Sequence, residues 1–156
     1  KPRRRLRHTE SMTSQTPVDL ATHFLDALAR SDIATAMADL DDDIVYTNVS
    51  LPTIRGKRKV TRGFAGMPKY RIGFDYRMVN VSAEGSVVLT ERVDELRLGP
   101  LTIRFWVWGR FETSEGRITV WRDYFDYFDC LKGTLRGVAA LLVPAVQRPF
   151  PARVAV

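Results

Sequence analysis

The 156-residue chain predicts a single α+β domain. Two observations carry that expectation. Apolar residues recur at helical spacing in the first part, and from Ile72 onward the period changes to two. Gly99-Pro100 and Ser114-Glu115-Gly116 then divide the alternating part into consecutive strands. Helices first and long antiparallel strands after them indicate N-terminal helices packed on a strongly curved, mostly antiparallel mixed sheet, forming a cone with an internal pocket.

The elements follow in order. Thr16-Pro17-Val18-Asp19 has the form of a helix start: an N-cap, Pro at the first helical position and an acid at the third. Val18, Ala21, Phe24, Leu25 and Leu28 make its apolar stripe, with His23 beside it. Ser31-Asp32 caps a short second helix carrying Ile33, Ala36, Met37 and Leu40. Asp41-Asp42-Asp43 lacks the spacing and Gly of a calcium loop and is expected as a solvated turn before a strand over 44–48. Residues 50–56 are expected as a loop, and 57–65 as a third helix with Val60 and Phe64 on one side. Four strands follow, the last three over 86–98, 101–113 and 117–125 as a meander. Leu135 to Val143 predicts a final helix ended by Pro144.

The net charge of +6 is unevenly placed. The first eleven residues and the last nine carry the whole excess, which leaves the body neutral. Residues 1–15 are expected to be a disordered basic extension, 16–147 one domain, and 148–156 a tail to which the pattern assigns no structure. A nucleic-acid partner would need a basic face on the folded body, so none is expected. Cys130 is the only cysteine, which excludes an intrachain disulfide and suits a reducing cytoplasm; it is expected as a small packed residue. No apolar run approaches the length of a membrane span.

Chemistry is concentrated on three strands. On 86–98, Val88, Thr90, Arg92, Asp94 and Leu96 share one face, so Arg92 and Asp94 are neighbours among apolar residues. On 117–125, Asp123 lies between Trp121 and Phe125 on one face. On the first strand, Tyr46 and Asn48 share a face. Buried charges are rare unless paired, and one guanidinium fork can satisfy two carboxylates. Arg92 between Asp94 and Asp123 would make such a cluster. The bland alternative is a salt-bridged sheet surface; Tyr46 and Asn48, whose polar ends could fix a water, weigh against it. Asp126 and Asp129 are expected at the surface. Trp106 and Trp108 share the face opposite Phe105, Val107 and Phe111, as core against the helices or as a dimer surface.

Tyr46-Thr-Asn48 with Leu51-Pro52, Thr90-Glu-Arg92-Val-Asp94, and the run from Glu115 to Asp126 that includes Trp121-Arg-Asp123, all in this order, resemble the limonene-1,2-epoxide hydrolase family over roughly residues 17–135. The resemblance implies a cystatin-like or NTF2-like fold, usually dimeric; the Asp–Arg–Asp set, with no metal-ligand spacing beside it, is expected to need no metal and no organic cofactor. The resemblance also implies that Asp123, Tyr46 and Asn48 hold and activate a water, that Asp94 is the general acid, and that Arg92 bridges the two acids. Leu96, Phe105, Val107, Trp121 and Phe125 are the expected walls of the pocket. The expected reaction adds water to a lipophilic epoxide in one step, giving a vicinal diol. A ketosteroid isomerase or polyketide cyclase of the same fold, or a non-catalytic lipid-binding member, are the alternatives.

Overall fold

In the computed structural model, which describes residues 15–152, the order of elements is close to that expected. Helix α1 (Pro17–Ala29) opens with the anticipated box: the Thr16 hydroxyl accepts from the Asp19 N–H, and the Asp19 carboxylate accepts from the Thr16 N–H. Its inner stripe of Leu20, Ala21, Phe24, Leu25 and Leu28 is buried. His23 stays at the helix surface, 2.7 Å from an Asp39 carboxylate oxygen. Helix α2 (Ile33–Ala38) is capped by Asp32, which accepts from the Thr35 N–H.

Strand β1 (Leu40–Val49) is longer than expected and takes in the three acids. From Leu40 to Val45 it matches only the step from Ile118 to Val120 on its neighbour, so Asp41–Asp43 leave the ladder as a bulge. Asp42 and Asp43 remain in water: three successive carboxylates cannot alternate between core and solvent as a regular strand demands. A two-residue strand, β2 (Ile54–Arg55), interrupts the expected loop and leads into helix α3 (Lys57–Ala65), which buries Val60.

Strands β3 (Ile72–Glu84), β4 (Val87–Leu98), β5 (Leu101–Ser114) and β6 (Arg117–Phe125) pair antiparallel in sequence order, and β1 lies parallel to β6. The described strands therefore form one mixed sheet in the order β2-β1-β6-β5-β4-β3. The parallel contact sets Tyr46 beside Trp121 and Asn48 beside Asp123. Helices α1 to α3 cover one face, where Phe24, Phe111 and Trp121 meet at the centre of the core.

The last helix corrects the sequence reading. Helix α4 runs from Tyr127 to Ala140, eight residues earlier at its start than expected, and Asp126 is its N-cap. Gly133 and Gly137 obscure it in the sequence, because glycine weakens a helix interior. The structure needs them. Strand β5 extends beyond the end of β6, since Phe125 pairs with Val107, and α4 covers the strand edge left open. A Cβ at Gly133 would stand 2.6 Å from the Arg104 carbonyl oxygen, and one at Gly137 would strike that of Thr102. Asp129 completes the cover by accepting the Trp106 N–H at 3.0 Å. It is therefore half-buried in a structural role, where a surface position was expected; Asp126 is exposed, as expected.

Trp106 and Trp108 point away from the helices, so they are not core in that sense; Trp108 is 55% exposed. The tail has structure up to residue 152. Arg77 and Arg104 lie over the Phe150 ring, with guanidinium carbons 4.0 and 4.9 Å from its centre. The basic extension, apart from residue 15, lies outside the described residues, as do residues 153–156.

Candidate active site

The inner face of β4 presents Thr90, Arg92 and Asp94 in succession, and β6 presents Trp121 and Asp123 two strands away. Strand β5 lies between them. At the point opposite both Thr90 and Asp123 it carries Gly109. The Arg92 guanidinium crosses this bare backbone. Its Nε donates to Asp94 Oδ1 at 2.9 Å and its Nη2 to Asp94 Oδ2 at 3.2 Å. Nη2 also lies 2.8 Å from Asp123 Oδ2, and Nη1 donates to Thr90 Oγ1 at 3.1 Å. A Cβ at residue 109 would collide with Arg92 Nη1 and the Thr90 hydroxyl. Glycine inside a strand marks a close approach of this kind, although the sequence alone does not say to what.

All three charged groups are buried, and Arg92 is fully enclosed. Burial opposes the Arg92 charge, but Asp123 and Asp94 outweigh it and hold the guanidinium firmly protonated. Burial pushes Asp94 up to about 6, against the charge and hydrogen bonds of Arg92, and the Asp123 charge adds to the rise. With one proton on the carboxyl pair, the cluster is neutral, which is the least costly state to bury. Of the two carboxyls, Asp94 is thus the one that burial prepares to hold a proton.

The two oxygens of Asp123 differ. Oδ2 accepts from Arg92 and from the Trp121 indole N–H, the latter at 3.0 Å. Oδ1 is buried and has no hydrogen-bond partner among the described residues. Tyr46 and Asn48 join the same site from β1, and the Asn48 amide donates to the Tyr46 hydroxyl at 2.7 Å. Tyr46 therefore keeps its own proton available for a further acceptor. Burial, reinforced by the Asp123 charge, raises the phenol above its ordinary value, so it stays neutral.

Tyr46, Asn48, Asp94 and Asp123 line a cavity of about 430 Å³, while the fully buried Arg92 is not part of its wall. All five expected wall residues, Leu96, Phe105, Val107, Trp121 and Phe125, line it, with Phe64, Phe74 and Ile103. Tyr127, Cys130 and Thr134 of α4 close another side. These three escaped the sequence reading because the start of their helix was misplaced; Cys130 was expected only as packing. Burial raises its thiol, which keeps it protonated. Among the described residues no group of three or more His, Cys, Asp or Glu side chains could hold a metal ion.

The model of the limonene-1,2-epoxide hydrolase catalytic domain matches residues 15–136. The chain belongs to this family. It is 48% identical over 124 residues to the epoxide hydrolase EphG of Mycobacterium tuberculosis, covering 80% of this chain and 83% of that one. The solved structure of an M. tuberculosis epoxide hydrolase of the limonene-1,2-epoxide hydrolase type superimposes with a TM-score of 0.82 at 44% identity, covering 86% of this chain and 95% of that chain. More distant structures share the fold alone. A protein of ketosteroid isomerase-like fold from Catenulispora acidiphila aligns with a TM-score of 0.66 at 15% identity, over 76% of this chain and 94% of that one. An NTF2-like protein from Cytophaga hutchinsonii aligns at 0.59 and 21%, over 74% and 94%.

Proposed function

We propose that the chain, an epoxide hydrolase of this family, converts lipophilic epoxides to vicinal diols by direct attack of water. Asp123 Oδ1 takes a proton from the water while the water oxygen bonds to an epoxide carbon. The carbon–oxygen bond of the ring breaks, and the departing oxygen takes the proton of Asp94. Tyr46 and Asn48 orient the water. Arg92 stays charged between the two acids, so the negative charge can move from Asp123 to Asp94 beside a fixed cation. The cycle closes when the proton on Asp123 is returned to Asp94. The observation that carries this reading is the unequal pair: a buried carboxylate oxygen left without a donor, next to a carboxyl pushed up to about 6.

The lipophilic substrate class follows from the walls, which are mostly aromatic and aliphatic apart from the polar end. The mechanism assigns no metal and no organic cofactor. Terpene, sterol and fatty-acyl epoxides should be incubated with the protein with and without a chelator, and diols read by mass spectrometry. Diol from at least one class, unaffected by chelation, is expected. Activity abolished by chelation and restored by a metal would overturn the mechanism.

A homodimer belongs to the same proposal. Leu89, Trp108 and Tyr124 leave an uncovered patch on the outer face of the sheet, and a helical stripe of Phe128, Leu131, Leu135 and Val138 is open on α4. Light scattering at micromolar concentration should give twice the chain mass; a monomer would contradict it. No helix among the described residues is long and apolar enough to cross a membrane. The cytoplasm is the proposed compartment, on the single cysteine.

A further inference from the structure

We infer that Trp121 is a positioning residue for the hydrolysis: its indole N–H, with Arg92, occupies one oxygen of Asp123 and so reserves the other for the attacking water. The inference rests on the reading of Asp123 as general base. Trp121 would otherwise be one more aromatic wall among Phe64, Phe105 and Phe125.

Three observations separate it from those rings. Its Nε1 lies 3.0 Å from Asp123 Oδ2, two residues along the same face of β6. The same oxygen lies 2.8 Å from Arg92 Nη2, so two donors from different strands meet on one atom. The other oxygen, Oδ1, is buried and receives none among the described residues. A carboxylate turns readily about its terminal bond, because such torsions are broad and roughly two-fold. One donor would leave the two oxygens able to exchange places. Two converging donors hold the plane and decide which oxygen is free.

The donor is itself held in place. Trp121 is buried, its ring 4.8 Å from that of Phe24 and 4.1 Å from that of Tyr46. An indole N–H donates only and does not titrate, so it stays a donor whether Asp123 is charged or protonated. Arg92 alone is a weaker constraint, because the same Nη2 also serves Asp94. The other charged or titratable groups around Asp123 are Arg92 and Asp94 from β4 and Tyr46 from β1. Strand β5 contributes the bare Gly109.

The test removes the N–H while keeping the shape. Trp121→Phe is one variant; the other replaces Trp121 alone with benzothienylalanine, which has sulfur in place of the N–H. Loss of a hydrogen bond to a charged group should lower kcat about tenfold, with little change in KM. It also disfavours the ionised carboxylate, so the acid limb of kcat/KM should move to higher pH by about one unit. A wall residue without this role would leave that limb in place. Parental kcat and an unmoved limb in the benzothienyl protein overturn the inference, even if Trp121→Phe fails to fold. Asp123→Asn is measured in parallel. If it retains turnover, the base assignment falls and this inference with it; if it is inactive while the benzothienyl protein behaves as the parent, only the Trp121 inference falls.

Discussion

Arg92 Nη2 lies 2.8 Å from Asp123 Oδ2, although β5 runs between the strands that carry the two residues. The span is possible because the residue beneath it is Gly109. Two carboxyl groups from separate strands thereby share one cation, and the site is assembled from long-range pairing.

Gly109→Ala should accordingly damage catalysis more than stability. The new methyl group collides with Arg92 Nη1 and approaches Asp123 Oδ1 to 3.1 Å, so the guanidinium must shift and the bridge loosen. A displacement on this scale can cost on the order of 100-fold in turnover. Steady-state kinetics and a thermal melt on the same preparation check it; near-parental turnover would mean that Arg92 tolerates the shift.

Asp94→Asn and Asp123→Asn should each lower turnover roughly 100-fold or more, the scale expected for a lost general acid or base. Both should remain folded by circular dichroism. In the parent protein Asp94 must carry a proton to act, and burial pushes it up to about 6. The kcat/KM profile of the free enzyme should therefore fall as pH rises through that value. A profile that stays flat well above it would remove Asp94 as the acid.

Arg92→Met should destabilise the fold by about 3–5 kcal/mol near pH 8, because it leaves two buried carboxyl groups without their cation. The sign of the pH dependence follows. Without Arg92 the folded state favours protonated carboxyls more than the unfolded chain does, so stability is present at low pH and lost as pH rises. Denaturant titrations near pH 5 and near pH 8 should show the smaller deficit at the lower pH; an equal deficit at both would contradict it.

Asp126 and Asp129 should separate cleanly. Asp126→Asn keeps a competent N-cap and should be nearly silent in both turnover and melting temperature. Asp129→Ala leaves the Trp106 N–H unpaired at a half-buried strand edge and should cost about 1–3 kcal/mol. Equal melting temperatures for the two variants would show that water replaces the Asp129 contact.

Much of this site could be read because a strand has a period of two. That period alone puts Arg92 beside Asp94 and Asp123 beside Trp121; Tyr46, Asn48, Asp94 and Asp123 line one pocket, and Arg92 lies fully buried behind it, bridging the two acids. What the sequence hid depends on distance in space. Gly109 acquires its meaning only once β4 and β6 are known to flank β5. The start of α4 is hidden because Gly133 and Gly137 count against a helix locally and are explained by the carbonyls of a strand distant in sequence. Asp129 looked like surface because its partner is a backbone N–H on that same open edge. Trp121 is an expected wall of the pocket, and although the period sets it beside Asp123, whether its N–H turns to that carboxylate depends on the orientation of the ring in the folded core.

The most direct test of water attack is a single turnover in water labelled with heavy oxygen, with enzyme in excess over epoxide. If Asp123 activates water, the first diol formed carries one labelled oxygen, and the peptides containing Asp94 and Asp123 remain unlabelled. If a carboxylate instead attacks the epoxide and its ester is then hydrolysed, the first diol carries no label from solvent, and the label appears in the carboxylate; that result would contradict the mechanism.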